Sequence, residues 1–409
     1  MARSAGSGGR FASLSIPSYR WFWISTLAAF CSIQMQMVAS GWLVYSLNES
    51  TFQLALAVVS FAVPMSMLSL LGGVLADRWS KRNLVMLAQF LTAVASVVVG
   101  LLVFEGTVQF WHLILAGVLN GVLAALNGPS RMALIPELVS RQWVVNATAL
   151  NQAAMNLTRV LGPAMAGGLI PFLGVSGVYF LMAGLSLFAC VTMLGVRRAA
   201  GPPRDWSQWR LSRQMTEGIR YVLARPIMVS LLITAIAAVV LGMPFQFLMP
   251  AFVVEALEMD AVALGMLMTV SGVGAFAGSL VVAGMGGLRR KGAWLLVNMV
   301  GWGVSLLVLS LATGLEVAAL GMFLVGFTSA IFLTLNTSII QLLADADMYG
   351  RVMSLNMLTF GLMPLAVTPL GALAESVGTD RALTLCAVLL VGVALLSLSL
   401  NRSLRRLEV

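Results

Sequence analysis

The sequence predicts an all-α integral membrane protein. It comprises two six-helix bundles, twelve transmembrane helices in all, around a central cavity, with the N- and C-termini cytoplasmic. Three observations carry this expectation. Hydrophobic residues make up 60% of the 409 and charged residues 10%, against about 45–50% and about 25% in soluble globular chains. Twelve apolar stretches long enough to cross a bilayer follow one another with short connections. Lys and Arg collect in every second connection. A soluble chain of this composition would lack the charged side chains to cover its surface, whereas lipid requires few.

The elements follow in order. Residues 1–20 are a Gly/Ser/Arg-rich cytoplasmic arm with no signal-peptide cleavage pattern. An N-terminal bundle, 21–196, holds spans 1 to 6 at about 21–46, 53–76, 84–104, 110–134, 145–170 and 176–196. A basic linker occupies 197–226. A C-terminal bundle, 227–400, holds spans 7 to 12 at about 227–254, 262–286, 293–313, 316–342, 352–374 and 381–400, and residues 401–409 are a cytoplasmic tail. Helix is the viable form at these lengths, because the alternating ~10-residue strands of a closed barrel are not visible.

With the N-terminus inside, 22 of the 24 Lys and Arg fall on the inner side. Arg381 lies outside and Arg159 in mid-span. Changing the span count by one would scramble this separation, so the count and the orientation support each other. The net charge of +9 thus reflects topology, and no nucleic-acid partner is expected. Within the linker, Trp206, Trp209, Leu211, Met215, Ile219 and Val222 alternate with arginines. That pattern predicts an amphipathic helix on the inner leaflet, its arginines toward anionic headgroups.

The halves echo each other. Ala125-Leu126-Asn127 in span 4 returns as Thr334-Leu335-Asn336 in span 10, 209 residues on, and Ala149-Leu150-Asn151 in span 5 as Ser354-Leu355-Asn356 in span 11, 205 residues on. A duplicated six-helix unit is a way to build alternating access, with the substrate at the interface of the repeats.

Ionisable residues inside a bilayer are costly and mark function. Arg159 is the one near mid-span, and all fifteen acids fall at or near span ends. Arg159 continues a polar stripe through Thr148, Gln152 and Met155 at helical spacing. Similar stripes hold Gln36 in span 1, Asn120 and Asn127 in span 4 and Thr334, Thr337 and Gln341 in span 10, with Asn151, Gln246 and Asn336 beside them. These residues are the expected cavity lining; taken singly, each also suits an interhelical hydrogen bond. Twenty-five methionines, many in these spans, suit a bulky substrate of variable shape. Gly162, Pro163 and Gly167 predict a kink with close helix contact in span 5.

The 2–3 loop runs Gly73-Val74-Leu75-Ala76-Asp77-Arg78-Trp79-Ser80-Lys81-Arg82. One acid among three bases just past a span suits a latch at the inner face, with Arg131, Glu137 and Arg351 as partners, or a purely topogenic basic loop. Cys31, Cys190 and Cys386 lie in apolar runs, and His112 sits beside Trp111 near the outer end of span 4. No metal-ligand spacing, nucleotide loop or nucleophile–base pair is present in the sequence, so neither enzyme activity nor a cofactor or metal is expected.

The Gly73–Arg82 loop resembles the signature of the major facilitator superfamily, with Ser80 where that family carries a second glycine. Gly162-Pro163-x-x-Ala166-Gly167 resembles its span 5 antiporter signature, with Ala166 in place of one glycine. Asn127-Gly128-Pro129-Ser130-Arg131, Pro136-Glu137-Leu138, Gly41-Trp42-Leu43-Val44-Tyr45 and Gly350-Arg351-Val352-Met353-Ser354 are similar to the branch of enterobactin exporters and macrolide-efflux proteins. The resemblance implies a secondary transporter of a small molecule, embedded in membrane lipid as a monomer. It further implies proton-driven export of a siderophore-like metabolite or drug from the inner membrane, with Gly73, Asp77, Arg78, Lys81 and Arg82 gating. An importer, a lipid flippase and a uniporter share the fold; a sensor or a membrane enzyme is the remoter alternative.

The charge pattern is tested by fusing reporters after Val409 and within 105–109. A fluorescent protein should report at the first site and a periplasm-dependent phosphatase at the second; the reverse pattern would contradict the orientation.

Overall fold

The computed structural model describes residues 12–78, 80–197, 211–284, 290–345, 348, 352, 355–356, 359–405 and 407. Among these, every regular element is helical. Ten helices are long and apolar enough to cross a membrane. One of them, Arg141–Gly195, has 55 residues and would be about 80 Å long if straight, against ~30 Å of hydrocarbon. It folds back at Gly174, whose φ of 68° and ψ of 173° leave the helical region, a conformation that glycine adopts without steric cost. The expected spans 5 and 6 are its two limbs. The helix Met363–Val377 is apolar but shorter and represents span 11, entered through a 3-10 turn at Thr359–Leu362.

Span 7 runs from Pro226 to Glu255 through a π-helical turn, Ala238–Gly242. Pro244 offers no N–H at this point, and the Trp302 ring packs where a side chain on Gly242 would stand. Between the bundles the helix Leu211–Leu223 forms, with Ile219, Arg220 and Leu223 exposed and Val222 buried. Trp206 and Trp209 lie outside the described residues. Large apolar side chains such as Phe172 (84% exposed) and Leu365 (73%) point out of the protein, as lipid-facing positions require.

By backbone contact the chain forms two units. The first comprises residues 1–40 and 63–205, the second 41–62 and 206–409. In the first, span 3 packs along span 4 and the folded pair of spans 5 and 6. Gly162 is what lets span 5 meet span 1: a Cβ there would strike the Gln34 side chain and sit 3.2 Å from the Cys31 carbonyl. Gly162 and Pro163 are buried within helical backbone, and the departure from helical φ/ψ in this element is at Gly174. In the second unit, span 10 packs on spans 8 and 9, and span 9 on span 12. The crossing of spans 8 and 10 is so close that Gly274 and Gly326 admit no side chain: a Cβ would overlap the carbonyls of Phe323 and Ser271. The hairpin 41–62, formed by the end of span 1 and the start of span 2, turns at Glu49, which holds a positive φ of 49°, uncommon for a residue with a Cβ.

Gly326→Leu should therefore force spans 8 and 10 apart and lower the thermal unfolding temperature of the purified protein, at about 1–3 kcal/mol for overpacking. An unchanged unfolding temperature would contradict the crossing.

Candidate polar core and gating residues

In the first unit, Arg131 is buried near one end of span 4 and is held entirely by neutral oxygens. Its Nε donates to Asn127 Oδ1 at 3.0 Å, Nη1 to Thr26 Oγ1 at 3.1 Å and Nη2 to Ser25 Oγ at 3.1 Å. The hydroxyls are free to accept because each spends its proton elsewhere: Ser25 donates to the Ala189 carbonyl and Thr26 to the Phe22 carbonyl. The guanidinium carbon lies 5.9 Å from the Phe22 ring centroid, a cation–π distance. Spans 1, 4 and 6 are thus tied through one cation, and Arg131 is placed among these oxygens, not beside Glu137. Nearby, Tyr19 donates to the Ala147 carbonyl at 2.6 Å, Trp23 to the Leu150 carbonyl at 2.9 Å and Ser13 to Asn146 Oδ1 at 2.7 Å. The start of the chain is fastened to span 5 by these bonds.

The second unit treats the matching position differently. The 209-residue offset that carries Asn127 onto Asn336 carries Arg131 onto Ile340. Ile340 supplies no donor, so Asn336 is left to donate to Asn356 Oδ1 at 3.5 Å, and its own buried Oδ1 has no partner among the described residues. Asn151, the repeat partner of Asn356, likewise has a buried Oδ1 with no partner among the described residues, its Nδ2 reaching Met155 Sδ at 3.8 Å.

The remaining expected lining residues fall into two groups. Asn120, Asn127, Asn151 and Asn336 are each less than a tenth exposed, inside their own units. Gln152 and Arg159 are exposed, and Gln36 and Gln246 half-buried. Gln152 donates to Asn156 at 3.4 Å on the same stripe as Arg159, and Gln246 lies 4.0 Å from Met243 Sδ. Among the described residues Arg159 has no hydrogen bond or ion pair.

At the 2–3 loop, Lys81 meets Glu137 at 2.6 Å. Arg82 donates to the carbonyls of Met193 at 2.8 Å and Leu194 at 3.0 Å, a cation at a helix C-terminus, where the dipole favours it. The side chains of Asp77 and Arg78 and that of Lys81's neighbour Trp79 lie outside the described residues, as does Arg351; the backbone of Gly73, Asp77 and Arg78 is helical. The linker helix has a clasp of its own that no sequence signal marked. Arg225 stacks on Tyr221 at 3.6 Å and pairs with Asp345 at 2.9 Å, while the Asp345 N–H donates to the Tyr221 hydroxyl. Both charges are largely exposed, so the clasp fixes position more than it stabilises.

A second set that the sequence did not group lies at the hairpin 41–62, within the second unit. Tyr45 donates to Glu255 Oε1 at 2.7 Å and Thr379 to Glu255 Oε2 at 2.9 Å. Glu375 Oε2 accepts from the Ser50 hydroxyl at 2.7 Å and from the Phe52 N–H at 2.8 Å, and Thr51 donates to the Gly371 carbonyl at 2.9 Å. The Phe52 N–H belongs to the first turn of span 2, where backbone donors lack helical partners.

An all-helical array of apolar spans with polar stripes, buried asparagines and a basic loop between spans 2 and 3 defines a multi-pass membrane transporter. The chain belongs to the transmembrane secretion effector family of the major facilitator superfamily, which it matches over residues 8–408. It is 26% identical over 383 residues to the multidrug efflux pump Tap of Mycolicibacterium fortuitum, covering 90% of this chain and 92% of that protein. It is 24% identical over 336 residues to the enterobactin exporter EntS of Citrobacter koseri, covering 82% and 80%. Its backbone resembles that of a bacterial homolog of the human lysosomal transporter Spinster, in the inward-facing and occupied conformation. There the TM-score is 0.75 at 14% identity, covering 94% of this chain and 96% of that one. The nucleoside transporter NupG gives a TM-score of 0.75 at 12% identity, covering 94% and 99%. The family and its members are transporters, not enzymes.

Arg131→Ala leaves Asn127 without its donor and separates span 1 from span 4. The expected cost is about 1–3 kcal/mol for the stranded buried acceptor, read as a lower unfolding temperature; wild-type stability would contradict the tie.

Proposed function

We propose that the protein is a secondary exporter of the bacterial inner membrane, moving a bulky amphipathic compound outward by alternating access at the expense of the proton gradient. The two six-helix halves, 21–196 and 227–400, alternate the access of the substrate to the two sides of the membrane, with both chain termini cytoplasmic and the linker helix on the inner leaflet. The observation that carries this reading is Arg159: a partly exposed arginine in the middle of an apolar span with no hydrogen-bond or ion-pair partner among the described residues. A lone cation at that depth is sustained by water and by a ligand in a cavity, not by lipid. Gln152 and Asn156 extend the same stripe, and Gln36 and Gln246 supply further hydrogen-bonding groups. The substrate accordingly carries an anionic or strongly accepting group beside an apolar body.

The buried asparagines serve helix packing in this account. Lys81 with Glu137 latches the inner face, and Gly73, Asp77, Arg78 and Arg82 of the same sequence motif share the gating role. The direction of transport rests on the likeness to Tap and EntS, an efflux pump and an exporter. The protein acts as a monomer, as the resemblance to the major facilitator superfamily implies.

The test is accumulation of a panel of macrolides, dyes and catecholate siderophores in cells with and without the protein. Reduced accumulation of at least one compound, reversed by an uncoupler, is the expected result. Reduced accumulation that an uncoupler leaves untouched would contradict proton coupling, and increased accumulation would contradict export.

A further inference from the structure

Every described bond that joins the hairpin 41–62 to a carboxylate of the second unit has a neutral donor on the hairpin. Tyr45 reaches Glu255, and Ser50 with the Phe52 N–H reaches Glu375. Tyr45, at 4% exposure, is buried, as are Thr51 and Thr379 at 1% each, while the two carboxylates themselves are open to solvent. Protons therefore have access to an interaction whose other half is locked in protein. We propose that Glu375 forms a proton-operated latch, in which protonation of its carboxylate releases the hairpin 41–62 from the second unit.

The chemistry follows from what each partner can do. The Phe52 N–H donates and cannot accept, and it sits at a helix N-terminus that favours an anion. A proton on the Glu375 carboxylate cancels its charge and takes up one lone pair, so both hairpin bonds weaken together. The Ser50 hydroxyl and the Phe52 N–H hold the Glu375 carboxyl below its ordinary value. A hydrogen bond that favours the ionised form has this sign, and its linkage runs one way. The docked hairpin is favoured above the ordinary carboxylate range, and that advantage is lost as pH falls through the docked value.

The surrounding groups are mostly acidic. Glu49, Glu255 and Glu375 all act on the Tyr45 hydroxyl. Glu258 and Asp260 follow Glu255, and Asp380 and the cation Arg381 follow Thr379. Glu375 and Glu255 form no described ion pair with any of them. This inference rests on the proposed export, with the hairpin on the outer side. The undocked state binds external protons better, so acid outside favours the outward-open form that releases substrate.

Hydrogen–deuterium exchange on the full-length protein in lipid nanodiscs tests the latch without any substrate. Protection of amides 51–62, corrected for intrinsic exchange, should hold between about pH 8 and about pH 6 and fall several-fold by about pH 3 in the wild type. In Glu375→Gln it should be low throughout, while amides of span 3 stay protected. Tyr45→Phe removes a donor to Glu255 and leaves Glu375 in place. It should lower protection at about pH 8 and keep the acid response, and it decides the matter if Glu375→Gln does not fold. A wild-type hairpin indifferent to pH, a Glu375→Gln variant that responds as the wild type does, or a Tyr45→Phe variant without an acid response would overturn the latch. Absent export with a pH-dependent hairpin would count against the transport reading alone, and uncoupler-sensitive export with an indifferent hairpin against the latch alone.

Discussion

Holding a charge away from water costs several kcal/mol even after a protein has relaxed around it, and this constraint orders the whole molecule. The 24 bases and 15 acids stand almost entirely at span ends, so a charge found elsewhere needs a specific account. Arg131 has one: three neutral oxygens and an aromatic face take the place of a carboxylate. Arg159 lacks such partners among the described residues. The contrast between two arginines in adjacent spans of one unit separates a structural cation from one free to meet a ligand.

The same constraint explains why the two repeats are unequal. Replacing Arg131 by Ile340 at the matching position removes a buried charge and, with it, the donor that satisfied the asparagine one turn earlier. The second unit keeps its asparagines, Asn336 and Asn356, as a weak pair with one unsatisfied oxygen. Where spans 8 and 10 cross, its helices meet by the removal of side chains, at Gly274 and Gly326.

Much of the fold was legible because lipid makes the code simple: an apolar run of sufficient length is a helix. Even the break between spans 5 and 6, expected between 170 and 176, falls at Gly174. The site was less legible. Periodicity marked Gln152 and Arg159 on one face, but it could not show that Asn120, Asn127 and Asn151 turn into the bundle, since burial depends on which helix packs where. Lys81 beside Glu137 was within reach of the basic-loop pattern. Tyr45 with Glu255, 210 residues apart, was not, because no local spacing encodes a contact made by tertiary packing. The clasp of Tyr221, Arg225 and Asp345 was hidden for the same reason.

The charge at position 159 and its link to the proton gradient carry the transport assignment. The direct measurement is uptake of an anionic amphipathic compound into proteoliposomes with an acidic lumen, comparing wild type, Arg159→Lys and Arg159→Ala at equal reconstituted amounts. Protein inserted with its cytoplasmic face outward should concentrate the compound only while the gradient persists. Arg159→Lys should retain part of the rate, and Arg159→Ala should lose it with span 5 still folded. Gradient-driven uptake by Arg159→Ala at the wild-type rate would contradict the assignment of the cavity.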